Sequence, residues 1–107
     1  MDQAWPRIDA EARAAKDSRY ALIGLDALYR SIAPADRPEA NRAIVAWLEA
    51  DDPRRRFDAL ALIEGFGIVE ASPALDRLVE RHRAAADAFH QHERDRAQEV
   101  RASLQDG

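Results

Sequence analysis

Ser18-Arg19-Tyr20-Ala21-Leu22-Ile23-Gly24-Leu25 and Arg55-Arg56-Phe57-Asp58-Ala59-Leu60-Ala61-Leu62 decide how this chain is read, because the second echoes the first 37 positions later, from Tyr20 to Phe57. Self-similarity at such a spacing marks a helical repeat. In each copy an Arg-aromatic pair opens a mostly apolar helix, with Leu25 matching Leu62 and Tyr29 matching Phe66. A second apolar helix follows each, Ile44, Trp47 and Leu48 answering Leu75, Leu78 and Val79. The expected fold is all-α: a short α-solenoid of about two helix pairs, 18–50 and 53–90, with an N-terminal capping helix and a long C-terminal helix whose distal part is 91–105.

Local signals place the ends of these elements. Pro6 suits the first turn of a helix, where its missing N–H is no loss, and Ile8, Ala12 and Ala15 share one face of it. No Gly or Pro enforces a break near Lys16-Asp17-Ser18, so both a capped new helix and one bent helix running to Ile32 fit the sequence. Leu22, Leu25, Tyr29 and Ile32 form a core stripe, which ends in the loop Ala33-Pro34-Ala35-Asp36-Arg37-Pro38. Asp51-Asp52-Pro53 is the sharpest start signal: an Asp that accepts free amides, then Pro at the first helical position. From Phe57 to Phe66 only Asp58 and Glu64 are charged, which predicts the most buried helix. Gly65-Phe66-Gly67 offers a Gly C-cap, and the next helix starts between Val69 and Pro73. Nothing from Ala74 to Leu104 interrupts it. Its stripe of Leu75, Leu78, Val79, His82, Ala86 and Phe89 thins beyond Phe89, so the distal part is expected in solvent or on a partner.

At 107 residues the chain can bury one modest core. Its 47% hydrophobic and 34% charged composition is that of a folded chain, not a disordered acidic tail. Cysteine is absent, which removes disulfides, thiolate nucleophiles and Cys-based zinc sites. The net charge is −4 and neither half is basic, which disfavours a nucleic-acid partner. No window approaches the roughly 20 apolar residues that span a bilayer. The expectation is a soluble, unprocessed, cytoplasmic protein with no membrane partner.

Asp51-Asp52-Pro53, then Arg55 or Arg56, then Ala59-Leu60-Ala61-Leu62, then Gly67, then Ala71-Ser72-Pro73-Ala74-Leu75-Asp76-Arg77-Leu78, resembles a HEAT repeat of the short bacterial type. The resemblance covers roughly residues 51–80; residues 18–50 fit more loosely and lack the Asp-Pro opener. It implies stacked helix pairs that serve as binding scaffolds, with no catalytic residues to transfer and no cofactor. The chain is thus expected to be a non-catalytic protein-binding or adaptor module, a small regulatory inhibitor being one form of this. On a solenoid the second helices line one surface, and Arg42, Val45, Glu49, Asp76, Glu80 and Arg83 project from it as the expected partner-binding strip. An offset of 31 places Val45 beside Asp76 and Glu49 beside Glu80. The partner is expected to be another protein, with a homodimer through the C-terminal helix as a variant.

Two further groups have chemical potential. His90 and Glu93 share a helix face at i, i+3 while His92 points elsewhere, so one helix supplies at most two metal ligands. The rival reading is therefore a metal-binding or enzymatic bundle dimerised through the last helix. The blander one leaves His82 at the core edge and the others solvated. Arg54-Arg55-Arg56 reads either as an anion patch or as packing support beside Asp51 and Asp52. Trp47 belongs to the core with Ile44 and Leu48, and Trp5 either packs across the first helix or lies at an interface.

Overall fold

A computed structural model describes residues 3–15 and 18–106, with the side chains of 3–11 and 22–105. Six α-helices follow in order: α1 (Trp5–Ala15), α2 (Ser18–Ser31), α3 (Arg37–Trp47), α4 (Pro53–Phe66), α5 (Ser72–Arg81) and α6 (Ala88–Asp106). Single 3-10 turns, Pro34–Asp36 and Val69–Ala71, join α2 to α3 and α4 to α5. No strand occurs among the described residues, and no helix among them is long and apolar enough to cross a membrane.

The α4 signals act as the sequence predicts. Asp52 is extended at the N-cap and accepts the Arg54 amide at 2.9 Å, with Pro53 starting the helix. Gly67 ends it in the left-handed conformation at φ 63°, where Cβ-bearing residues are strained, and the Ile68 amide bonds back to the Ile63 carbonyl. Pro38 and Pro73 fill equivalent early positions of α3 and α5. Each element of the second half begins 35 residues after its counterpart (Ser18 to Pro53, Pro34 to Val69, Arg37 to Ser72). The recurrence thus has one register across both helices, in place of the offsets of 37 and 31 that side-chain matching suggests.

Packing groups the helices in a shifted frame. Among helices consecutive in the chain, α1 packs with α2, α3 with α4 and α5 with α6, whereas α2 with α3 and α4 with α5 make little mutual contact. The 3-10 joints turn the chain without folding it back on itself. α4 also packs against α2 and α6, so α2, α4 and α6 neighbour one another with α4 in the middle. The molecule measures 37 × 33 × 20 Å, and its short dimension is that of two helix diameters. One contiguous core runs from Trp5 and Ile8 through Leu25, Ile44, Trp47, Ile63 and Leu75 to Val100 and Leu104. Lys16 and Asp17 lie outside the described residues, but α1 and α2 are packed against each other. Ile8 lies so close to Gly24 that a Cβ there would stand 3.4 Å from it. A single bent helix from Pro6 to Ile32 is therefore excluded.

The expected unbroken helix from Ala74 onward is two helices. α5 stops at Arg81, and Asp87 starts α6 by accepting the His90 amide at 3.1 Å. The chain reverses between them, so the distal segment does not project into solvent. Glu93, Ala97, Val100 and Leu104, spaced as one face of a helix, are buried, whereas Phe89 is not.

What seats α6 is polar. Arg56 of α4, buried, donates from Nε to Glu93 Oε1 at 2.7 Å and from Nη1 to the Ala50 carbonyl at 2.7 Å. His82 Nε2, at the end of α5, lies 3.0 Å from the same Glu93 oxygen. An ionised carboxylate only accepts, so His82 presents Nε2–H to it. Charges this far from water survive only when paired and hydrogen-bonded. Replacing Glu93 by Ala strands the Arg56 cation and is expected to cost about 3–5 kcal/mol by urea denaturation. The double variant Arg56→Met/Glu93→Leu should recover most of that loss, which a purely steric role for Glu93 would not allow.

Candidate functional site

The residues of the sequence-predicted strip enter separate pairings. Glu49 Oε1 is held by Arg77 Nη2 at 2.8 Å, and so meets Arg77 where the offset of 31 predicts Glu80. Asp76 takes Arg101 of α6 at 3.2 Å. Glu80 pairs with Arg83 at 3.2 Å, and the two border a shallow cleft between α5 and α6 with Arg94, Asp95 and Gln98. Val45 packs against the core, and Arg42 is exposed on α3. Glu49 and Asp76 thus tie neighbouring helices together, while Glu80 and Arg83 pair with each other.

The arginine run separates as well, because successive helical residues point about 100° apart. Arg54 reaches Asp9 of α1 at 3.4 Å, and Arg55 lies with its guanidinium 4.3 Å over the Trp5 ring and 6.0 Å from that of Trp47. Arg56 turns inward. An anion patch does not form, and the packing reading is the one the geometry follows. His90 Nδ1 is 2.6 Å from Asp87 Oδ1, and its ring lies 4.7 Å from that of His82. Asp87 is held below the usual carboxylate range by its hydrogen bonds from His90. The carboxylate of Glu93 turns to Arg56 and His82, so the His90–Glu93 ligand pair is not assembled. No group of three or more His, Asp or Glu side chains among the described residues is placed to hold a metal ion.

A different site emerges between α4 and α6. These helices run parallel, as the cross-links Arg56–Glu93 and Glu64–Arg96 require. Between them lies a cavity of about 130 Å³ lined by Pro53, Phe57, Leu60, Phe89, His92, Glu93 and Arg96. Phe57 and Phe89 flank it and are 53% and 54% exposed, although their composition context suggested a core role. A bidentate ion pair closes its far end: Arg96 donates to both Glu64 oxygens, at 2.8 and 3.0 Å, and holds the Glu64 carboxyl below its ordinary range. The sequence did contain a signal. Phe57 shares a helix face with Glu64 at i+7, and Phe89 with Arg96 at i+7, so each aromatic stands on a face that a charge marks as solvated. A larger, shallow recess of about 760 Å³, with Ile32, Asp36, Glu39 and Ala43 among its walls, has no aromatic lining.

On the other side of α4, Asp58 is buried at 4% exposure. The Trp5 indole donates to its Oδ2 at 3.0 Å, which settles Trp5 as a packing residue. Burial pushes the Asp58 carboxyl up from 3.8 to about 6; the Trp5 hydrogen bond opposes this, and the Asp9 and Asp52 carboxylates add to it. Through Trp5 this carboxylate serves the α1–α4 junction.

Comparison with known protein families, with curated proteins and with solved structures yields no match to this chain.

The Asp58 environment fixes a pH dependence. Between its unfolded value near 3.8 and its folded value of about 6, the native chain binds a proton that the unfolded chain has released. Its contribution to stability is therefore greatest at low pH and falls as pH rises through this window, by on the order of 3 kcal/mol. Asp58→Asn keeps an oxygen for Trp5 and removes the titration. The stability difference between variant and wild type should grow from pH 4 to pH 7 in urea titrations; a difference independent of pH would contradict this account.

Proposed function

We propose that this chain is a non-catalytic protein-binding module that docks its partner across α4 and α6, with Phe57 and Phe89 as the anchors. The observation that carries this reading is the pair of large aromatic side chains, each about half exposed, flanking one small apolar cavity on adjacent helices. Leaving two phenyl rings half in water forgoes roughly half of the ~1.5–3 kcal/mol that full burial of each side chain would contribute. Paired on one face, they match the aromatic anchors that dominate protein interfaces. The polar groups that chemistry would use, Glu93 and His82, are occupied by Arg56 and by each other. An adaptor or small inhibitor needs no more than such a face on a firm support.

The single 35-residue register of both halves and the side-by-side order of α2, α4 and α6 support a short α-solenoid of HEAT-like character, its hairpins being α1–α2, α3–α4 and α5–α6. In that frame α4 and α6 belong to one layer, and the groove between them lies at a junction of neighbouring units, where solenoids present extended binding surfaces.

A pull-down of the tagged chain from lysate of its own source, run beside Phe57→Ser/Phe89→Ser, tests the reading. Both residues are exposed, so the variant should keep the wild-type circular dichroism spectrum and a melting temperature within a few degrees. A stoichiometric partner held by the wild type should bind the double variant at least about 100-fold more weakly, since each anchor contributes on the order of 2 kcal/mol. A partner retained equally by both would place the docking face elsewhere.

A further inference from the structure

We infer that the occupant of the α4/α6 groove is an amphipathic helix of a partner protein, inserting one large apolar side chain between Phe57 and Phe89 and carrying Lys or Arg on either side of it; this rests on the docking reading above. Size is the first argument. At about 130 Å³ the cavity is close to the ~150 Å³ that admits one benzene ring, and well short of the roughly 300–1,000 Å³ of small-molecule sites. It accepts one side chain. Backbone chemistry is the second. Both walls are α-helices, whose amides and carbonyls are spent internally. Such a groove has no free edge for an extended strand to join, so its occupant must satisfy its own backbone, as a helix does.

Charge chooses among helices. Arg96, the guanidinium in the wall, is met by Glu64 at 2.8 Å and by Glu99 at 3.6 Å, so two carboxylates surround one cation. Glu93 is matched by Arg56. At the other end Asp51 and Asp52 precede Pro53, and Asp87 precedes Phe89 by two positions; the parallel course of α4 and α6 brings these starts to the same end of the groove. Arg81 offsets Asp51 only at 3.8 Å, Arg54, shared with Asp9, offsets Asp52 only at 3.9 Å, and His90 bonds Asp87 at 2.6 Å. Both ends of an apolar slot are thus bounded by carboxylates. A second copy of this chain, with net charge −4, would bring like charge to like, whereas a helix with basic residues flanking its anchor meets opposite charge at each end.

The test is a displayed library of amphipathic helical peptides, selected on the full chain and counter-selected on Phe57→Ser/Phe89→Ser. Enrichment of sequences with an aromatic or leucine anchor flanked by Lys or Arg is expected. A synthetic peptide from that pool should bind at least about tenfold more weakly to Phe89→Ala. It should lose roughly threefold on Glu99→Lys at low salt, an effect that fades at high salt. Amide shifts induced by the peptide in the wild-type chain should centre on Phe57, Ala61, Phe89 and His92, a readout independent of any variant's folding. Groove-dependent binders that are acidic or uncharged would overturn the basic-helix assignment and leave the docking reading intact. Binders indifferent to both phenylalanines, or no enrichment at all, would overturn both. A sedimentation mass of two chains that reverts to one on Phe89→Glu would replace the helix by a second copy.

Discussion

One buried ion pair determines where the last third of this chain goes. The Arg56 guanidinium sits inside the molecule, and a cation there demands an anion and acceptors within hydrogen-bond reach. Glu93 supplies the anion, the Ala50 carbonyl one acceptor, and His82 shares the carboxylate. These four residues come from the α3–α4 connection, α4, the end of α5 and α6. A single polar cluster therefore fixes the reversal after α5 and the parallel seating of α6 on α4. Apolar burial by Ala97, Val100 and Leu104 contributes adhesion, but it is non-directional, whereas Arg56 and Glu93 can meet in only one register.

The same geometry explains why the exposed aromatics lie where they do. Turning Arg56 inward rotates its neighbour Phe57 outward around the α4 surface, whereas Phe89, one turn before Glu93 on the same side of α6, lies at the start of the helix beyond the buried stripe. With α4 and α6 held parallel at this point, the two rings end up on the same side of the slab with Leu60 beneath them. The position of the groove is thus a by-product of the clasp. Elsewhere the surface is tied by ion pairs between helices, such as Glu49–Arg77 and Asp76–Arg101, which sew α3 to α5 and α5 to α6.

Most helix starts and stops were legible because they depend on local chemistry. The Asp52-Pro53 cap and Gly67 act within one turn, and the stripes of Leu25 with Tyr29, of Ile44 with Trp47 and of Leu75 with Leu78 follow from the helical period alone. Three features were not legible, each for a nonlocal reason. The break before α6 falls in Ala84-Ala85-Ala86, a run of excellent helix propensity, and Asp87 caps the helix that follows, so tertiary pairing overrides the local preference. Arg56, Asp58 and Glu93 are interior charges whose partners lie 37 or 53 positions away, at Glu93 and Trp5. The pairing of helices into hairpins depends on whether a connection reverses the chain, and the two 3-10 joints look in sequence like any other loop. The stacked Tyr29 and Phe66 rings, 4.2 Å apart, are the instructive case: sequence matching treated them as equivalent positions of separate repeats, and they touch.

The clasp also sets the order in which the molecule can be completed. Arg56 and Glu93 are separated by 37 residues, and every shorter version of the chain that has made α4 but not α6 holds a cation facing an interior that lacks its counter-ion. Closing so long a loop carries its entropic cost before the bond rewards it. A ribosome synthesising this protein from its N-terminus therefore delivers the anion 37 residues after the cation. The α4 face stays hydrated until α6 is made, and this part of the native state forms as one cooperative event rather than by adding finished helix pairs one at a time.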